Sequence, residues 1–169
     1  MSRAFTRNAR ISHASHLVPL ARAFDLSHGD VLELGMGWYS TSLLKWLCGV
    51  AGRELFSYDD VTEWTLPGRH RQPAYHHVIC VSDWEAAPIE VPWGLAFVDH
   101  APSERRAVEV QRLAPWAEYI VIHDTQLDKA SFQYGYDAIW PLFKYRYDYT
   151  RLSPQTTIVS NFHSLERMD

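Results

Sequence analysis

The sequence predicts an α/β protein built on a mostly parallel sheet covered on both faces. Three observations carry this reading. Short apolar runs recur along the chain with helix-compatible segments between several of them. Most of these runs are apolar at nearly every position, the pattern of strands buried on both faces. Five successive runs end in polar, mostly acidic residues, and the carboxyl ends of parallel strands are where such sheets hold ligands. The 169 residues, 47% of them hydrophobic, suffice for one sizeable core, whereas two domains would each be thin.

The elements follow in order. Residues 1–12 read as a flexible leader before a single domain over 13–169, its basic segment from Arg3 to Arg10 suiting a frayed terminus as well as a nucleic-acid arm. His13 to Asp25 forms an amphipathic helix with Leu17, Leu20, Ala21 and Phe24 on one face, and Pro19 is suited to its first turn. After a turn at 27–30 comes the strand 31–34, then a glycine loop. Ser40 or Thr41 caps a helix to about Leu47, closed by Gly49 and Gly52. A second strand covers 54–58. The stretch 61–74, with Pro67, Gly68 and Pro73, holds no long helix. Strands at 75–81, 95–98 and 119–122 follow, with a helix from Glu104 to about Leu113 opened by Pro102 and Ser103. Phe143, Tyr145, Tyr147 and Tyr149 alternate with Lys144, Arg146, Asp148 and Thr150, as in a half-buried strand. With 156–162 it makes a late antiparallel pair at the sheet edge.

Composition narrows the function. The net charge is −4 and the sixteen Lys and Arg are scattered, which argues against a nucleic-acid partner. No apolar run is long enough to cross a bilayer and the first residues lack the apolar core of a signal peptide, so a cytoplasmic protein with no membrane partner is expected. Cys48 and Cys80 sit in apolar surroundings and read as small buried hydrophobes, a disulfide being the weaker reading. His13 and His16, about one turn apart, read as surface residues more than as caps on a pocket.

The glycine loop, Gly35-Met36-Gly37-Trp38-Tyr39-Ser40, lacks the third glycine of a dinucleotide fingerprint. Glu33 just before it would repel a diphosphate but suits a cationic ligand, and the chain has no Gly-Lys-Ser or Gly-Lys-Thr. A nucleoside without phosphate fits better. Asp59 or Asp60, at the end of the second strand, could accept hydrogen bonds from ribose hydroxyls.

With these residues the chain resembles a class I S-adenosylmethionine (SAM)-dependent methyltransferase, in particular the small bacterial O-methyltransferase-like branch. The resemblance spans roughly residues 13–162 and implies a Rossmann-like methyltransferase sandwich of about seven strands. Glu33-Leu34-Gly35-Met36-Gly37 resembles the motif whose backbone lies against the methionine part of SAM, and Tyr39 is a bulky departure in that loop. Asp59 resembles the ribose-gripping acid, with Asp60 the fallback. Ser82, Asp83 and Trp84 occupy the adenine-contacting position. Val98-Asp99-His100 and Val121-Ile122-His123-Asp124-Thr125 resemble the fourth- and fifth-strand motifs, whose acids bind a divalent ion in metal-using relatives.

What this implies is methyl transfer to a small-molecule acceptor, an oxygen nucleophile first. Asp99/His100 and His123/Asp124 would orient or deprotonate it. Either histidine suits a base at neutral pH. Asp99 with Asp124 suits Mg²⁺, and with histidines added Zn²⁺ or Fe²⁺. The aromatic stretch Phe132 to Trp140 either lines a pocket for a flat acceptor or packs on the sheet, and 132–149 could mediate a homo-oligomer. Two alternatives stay open: a non-catalytic SAM-binding protein, and an enzyme of this fold with another metal- or sulfonium-dependent reaction.

Overall fold

A computed structural model of the chain describes residues 14–65, 72–126 and 134–168. The expected leader, His13, Pro67, Gly68, Phe132 and Gln133 lie outside them. Helix α1 (Leu17–Leu26) leads into β1 (Val31–Leu34), α2 (Ser40–Ala51) and β2 (Leu55–Asp59). A single helical turn, α3 (Thr62–Thr65), precedes β3 (His76–Cys80) and β4 (Trp93–Val98). Then come a 3₁₀ turn (Ser103–Arg105), α4 (Arg106–Leu113) and β5 (Ala117–His123). Two further 3₁₀ turns (Tyr136–Ala138, Trp140–Leu142) lead to β6 (Tyr145–Tyr149) and β7 (Thr156–Ser160), and a last 3₁₀ turn spans Glu166–Met168.

All seven strands share one sheet in the order β3-β2-β1-β4-β5-β7-β6. The first five run parallel, and β7 pairs antiparallel with both β5 and β6. The side chains divide by parity, because successive strand residues point to opposite faces. Val31, Leu55, Leu95, Phe97, Tyr119 and Val121 bury against α1 and α2, while Leu32, Leu34, Val98, Ile120 and Ile122 bury against α4 and the turns after β5. The order in which successive strands are laid down reverses between β1 and β4. A crevice forms at such a reversal, outside the carboxyl ends of the strands.

Several local expectations shift. In α1 the buried set is Pro19, Leu20, Ala23 and Phe24, a face turned slightly from the one read off the sequence. Tyr39, not Ser40 or Thr41, is the N-cap of α2 and makes no side-chain cap bond, whereas Gly52 closes the helix in the left-handed conformation (φ 66°). Cys80 is exposed, because β3 is an edge strand, while Cys48 is buried and both thiols are free. The aromatic alternation of β6 gives less burial than expected: Tyr145 is exposed, Tyr147 half-buried and only Tyr149 buried, since β6 is the opposite edge and pairs on one side only. After β5, Tyr136 and Ile139 pack on the sheet core. Among the described residues no helix is long and apolar enough to cross a membrane.

Candidate active site

The glycine loop sits at the reversal between β1 and β4. Gly35 has φ 92°, and a Cβ there would lie 2.5 Å from the backbone of His100, so only glycine lets β1 turn this close to the end of β4. Its neighbours fasten the loop. Met36 N–H donates to Asp59 Oδ2 (2.7 Å), and Val61 N–H donates to Asp59 Oδ1 (2.8 Å). Asp59 is buried and braces the loop with both oxygens, while Asp60 beside it is exposed at the edge. Burial pushes the Asp59 carboxyl up, opposed by those two backbone bonds.

Glu33 faces the α2 side, away from the loop's open edge. It is fully buried and accepts hydrogen bonds from Thr41 Oγ1 (2.9 Å) and Ser57 Oγ (2.6 Å). Thr41 Oγ1 in turn accepts the Gly37 N–H (3.0 Å), and Ser57 Oγ lies 3.0 Å from His76 Nε2. Burial drives the Glu33 carboxyl up to about 7, with the hydroxyl hydrogen bonds pulling the other way. Glu33 therefore supports the loop from beneath through Thr41.

At the ends of β4 and β5 the same parity places Asp99 and His123 side by side. The register pairs Phe97 with Val121 and Val98 with Ile122, so the next residues are neighbours on the α1 face. His123 Nδ1 lies 3.2 Å from Asp99 Oδ2, and its Nε2 lies 3.0 Å from Ser15 Oγ. Asp124 takes a left-handed conformation (φ 58°), tolerated by an Asp, that turns its carboxylate back toward α4. There Arg106 joins the two acids: Nη2 lies 3.0 Å from Asp99 Oδ1 and Nη1 lies 3.0 Å from Asp124 Oδ2. Arg106 Nε also donates to the His100 carbonyl (2.7 Å). Burial works to raise the Asp99 carboxyl, but the His123 hydrogen bond and the charges of His123 and Arg106 outweigh it and bring Asp99 below the usual carboxylate range. Burial likewise works to lower His123, and Asp99 outweighs it, so His123 rises.

The remaining expected site residues scatter. His100 points to the opposite face, buried under the Trp84 ring (centroids 4.2 Å apart) with Nε2 3.2 Å from Glu109 Oε2. Trp84 is buried and its Nε1 donates to the Ala101 carbonyl (2.8 Å). Ser82 and Asp83 are exposed, and Asp83 accepts the Glu85 N–H (2.9 Å). Trp38 and Tyr39 project from the loop, 62% and 37% exposed. His16, read from the sequence as a surface residue, is buried against Phe97 and His123, because the chain entering α1 folds over the ends of β4 and β5. Burial and the charge of His123 lower it to about 4, against a smaller opposing effect of Asp99.

Sequence reading missed Arg106 and Ser15. Arg106 was detectable in principle, since a short turn after Asp99 puts it in the first turn of α4, directly above the strand end. Ser15 had no sequence signal. The acids expected to suit Mg²⁺ do come together, but on the two arms of Arg106. A hard divalent ion that needs oxygen ligands does not fit between carboxylates already neutralised by a guanidinium.

A seven-stranded sheet of this order, with the glycine loop at its reversal and an antiparallel pair at its far end, is the fold of the class I SAM-dependent methyltransferases. Solved structures of that class share it. The O-methyltransferase TomG from Streptomyces achromogenes, involved in tomaymycin synthesis and solved with SAM, matches with a TM-score of 0.60 and 14% identity, over 96% of this chain and 91% of its own. Human methyltransferase-like protein 13, solved with S-adenosylhomocysteine, matches at 0.58 and 11% identity over 92% and 84%. The plantazolicin methyltransferase BpumL, also with S-adenosylhomocysteine, matches at 0.53 and 12% identity over 93% and 86%. No protein-family model and no curated protein matches the chain in sequence.

Proposed function

We propose that the protein transfers a methyl group from SAM to an oxygen nucleophile on a small molecule. One observation carries this: the glycine loop lies at the carboxyl ends of β1 and β4, where the strand order reverses, with the Asp59–Asp60 pair on one side and the Asp99–Asp124 pair on the other. The donor set fits the cofactor. Gly35 and Gly37 give backbone access for its methionine part, Asp60 and the remaining lone pairs of Asp59 suit ribose hydroxyls, and Ser82 and Asp83 offer polar contacts for adenine. Glu33 and Tyr39 hold and border the loop, and Trp84 forms the wall behind. SAM when bound supplies an electrophilic methyl on a sulfonium.

The chain's own work is to hold the acceptor and take its proton. Asp99 and Asp124 are partly open to solvent, and Arg106 fixes their spacing, so they can accept hydrogen bonds from acceptor hydroxyls and orient one of them. As the methyl–oxygen bond forms and the methyl–sulfur bond breaks, the hydroxyl proton passes to Asp124 Oδ1, the oxygen that does not take the Arg106 hydrogen bond and lies 3.6 Å from His123 Nδ1, while Asp99 stays charged against Arg106 and His123. His100, held by Glu109 on the other face, positions the Asp99 backbone.

Calorimetric titration with SAM and with S-adenosylhomocysteine tests the reading. Saturable binding is expected, weakened about tenfold in Asp60→Asn through loss of a charge-assisted hydrogen bond. Absence of binding by the wild-type protein would refute it.

A further inference from the structure

Three side chains from three separate elements converge beneath the Asp99–Arg106 pair. His16 comes from the turn leading into α1, Asp99 from the end of β4 and His123 from the end of β5. One ligand atom of each lies within 4.8 Å of the others. His16 is 2% exposed, and neither of its ring nitrogens has a hydrogen-bond partner, although both are buried. A buried imidazole normally hydrogen-bonds through at least one nitrogen, since leaving both without a partner costs the full desolvation of each. His16 instead stands edge-on to His123, ring centroids 4.7 Å apart, with a nitrogen in reach of the Asp99 carboxylate and the His123 ring.

We infer that His16, Asp99 and His123 form a binding site for a divalent transition-metal ion of the Zn²⁺ class. The donor set, two imidazoles and one carboxylate, is one that such ions take with three protein ligands and an open position. The distances agree. Ligand bonds of about 2.0–2.1 Å put neighbouring donors of a tetrahedral site about 3.3 Å apart, and His123 Nδ1 and Asp99 Oδ2 are separated by 3.2 Å. His16 closes the remaining gap by a small shift, and it has no hydrogen bond to give up.

The surroundings are arranged for this. Ser15 Oγ lies 3.0 Å from His123 Nε2, and when Nε2 carries the proton it donates to this oxygen, which leaves Nδ1 for the ion, the usual part of a ligand's outer partner. Arg106 holds Asp99 through Oδ1 and leaves Oδ2 for the ion. In the metal-free protein a proton joins Nδ1 and Oδ2, and the ion takes its place. The open position faces the Asp99 side, the most exposed of the three ligands. A bound ion pins the start of α1 to β4 and β5. This site differs from the Asp99–Asp124 pair considered for Mg²⁺, in that Asp124 takes no part and two of the three donors are nitrogens.

The test titrates the full chain, stripped of metal, with Zn²⁺ alone and then with Co²⁺ as its spectroscopic substitute. One ion per chain is expected, with the intense visible absorption of low-coordinate Co²⁺ and a thermal midpoint that rises with free Zn²⁺. His16→Ala should abolish both signals. Ser15→Ala should weaken binding by about tenfold, as loss of an outer partner does. His77→Ala, which removes an exposed His–Glu pair, should change nothing.

The inference is overturned if the wild-type protein takes up no Zn²⁺. It is equally overturned if His16→Ala binds as the wild type does, or if the Co²⁺ spectrum is that of a weakly absorbing six-coordinate ion held by surface groups. Should His16→Ala fail to fold, the wild-type Co²⁺ spectrum and the Ser15→Ala affinity decide. The SAM titration above is run in chelator, so failure of the metal site and failure of the methyl-transfer reading are read separately.

Discussion

The two halves of the sheet's carboxyl edge handle their acids in opposite ways. Under the glycine loop, Glu33 and Asp59 are held by uncharged donors: the Ser40, Thr41 and Ser57 hydroxyls for Glu33 and two backbone N–H groups for Asp59. Burial prevails there, and both carboxyls are pushed up. Across the reversal, Asp99 and Asp124 meet Arg106, and Asp99 also meets His123. Charge prevails there, and Asp99 is held down. A strand-end acid thus tells little by itself, because its partners decide whether it is a structural proton holder or a charged group available to a ligand.

The largest effect expected from breaking this contrast is at Arg106. Arg106→Leu leaves two carboxylates without their cation and should lower stability by about 3 kcal/mol, measured by urea unfolding. Adding Asp99→Asn and Asp124→Asn should recover part of it; no recovery would mean that Arg106 acts through packing alone.

Glu33 should give an effect of similar size but with the opposite dependence on acid. Its folded value of about 7 lies above the 4.5 of a free glutamic side chain. Its contribution is therefore fully present below pH 4.5 and is lost as pH rises through 7, a change of about 3 kcal/mol over that window. Glu33→Gln should flatten this part of the stability profile, and an unchanged slope between pH 4.5 and 8 would show that Glu33 is not the group responsible.

Thr41→Val removes the hydroxyl that links Glu33 to Gly37 N–H, and should cost about 1–2 kcal/mol. It should also weaken SAM binding by loosening the loop, measured by the same calorimetric titration. The smallest stability effect is at the exposed Asp60, where Asp60→Asn should stay within about 0.5 kcal/mol of the wild type while lowering SAM affinity. A stability loss as large as that of Thr41→Val would place Asp60 among the structural acids.

Much of the fold was legible because burial on both faces leaves a continuous apolar run, and each of the five parallel strands carries one or ends in a polar residue that marks its edge. The late antiparallel pair was legible too, although the aromatic alternation of β6 overstated its burial, since alternation records which side chains share a face and not whether anything covers that face. The glycine loop was legible from Gly35, whose positive φ and close approach to His100 no other residue permits. Glu33 was expected to meet a cationic ligand, and parity turned it toward α2 instead. His16 was read as surface because helical spacing says nothing of what lies across from a helix entrance.

By itself, the sequence determined the order of strands and helices, the loop that crosses from β1 to α2 and the acids at the strand ends, because these follow from local patterns of hydrophobicity and backbone freedom. The tertiary structure alone decided which acids share a partner. Arg106, Asp99 and Asp124 come from three elements, and so do His16, Asp99 and His123. Such groupings depend on strand register and on how α1 and α4 cross the sheet, and those are set by packing over long sequence separations, which no local pattern encodes.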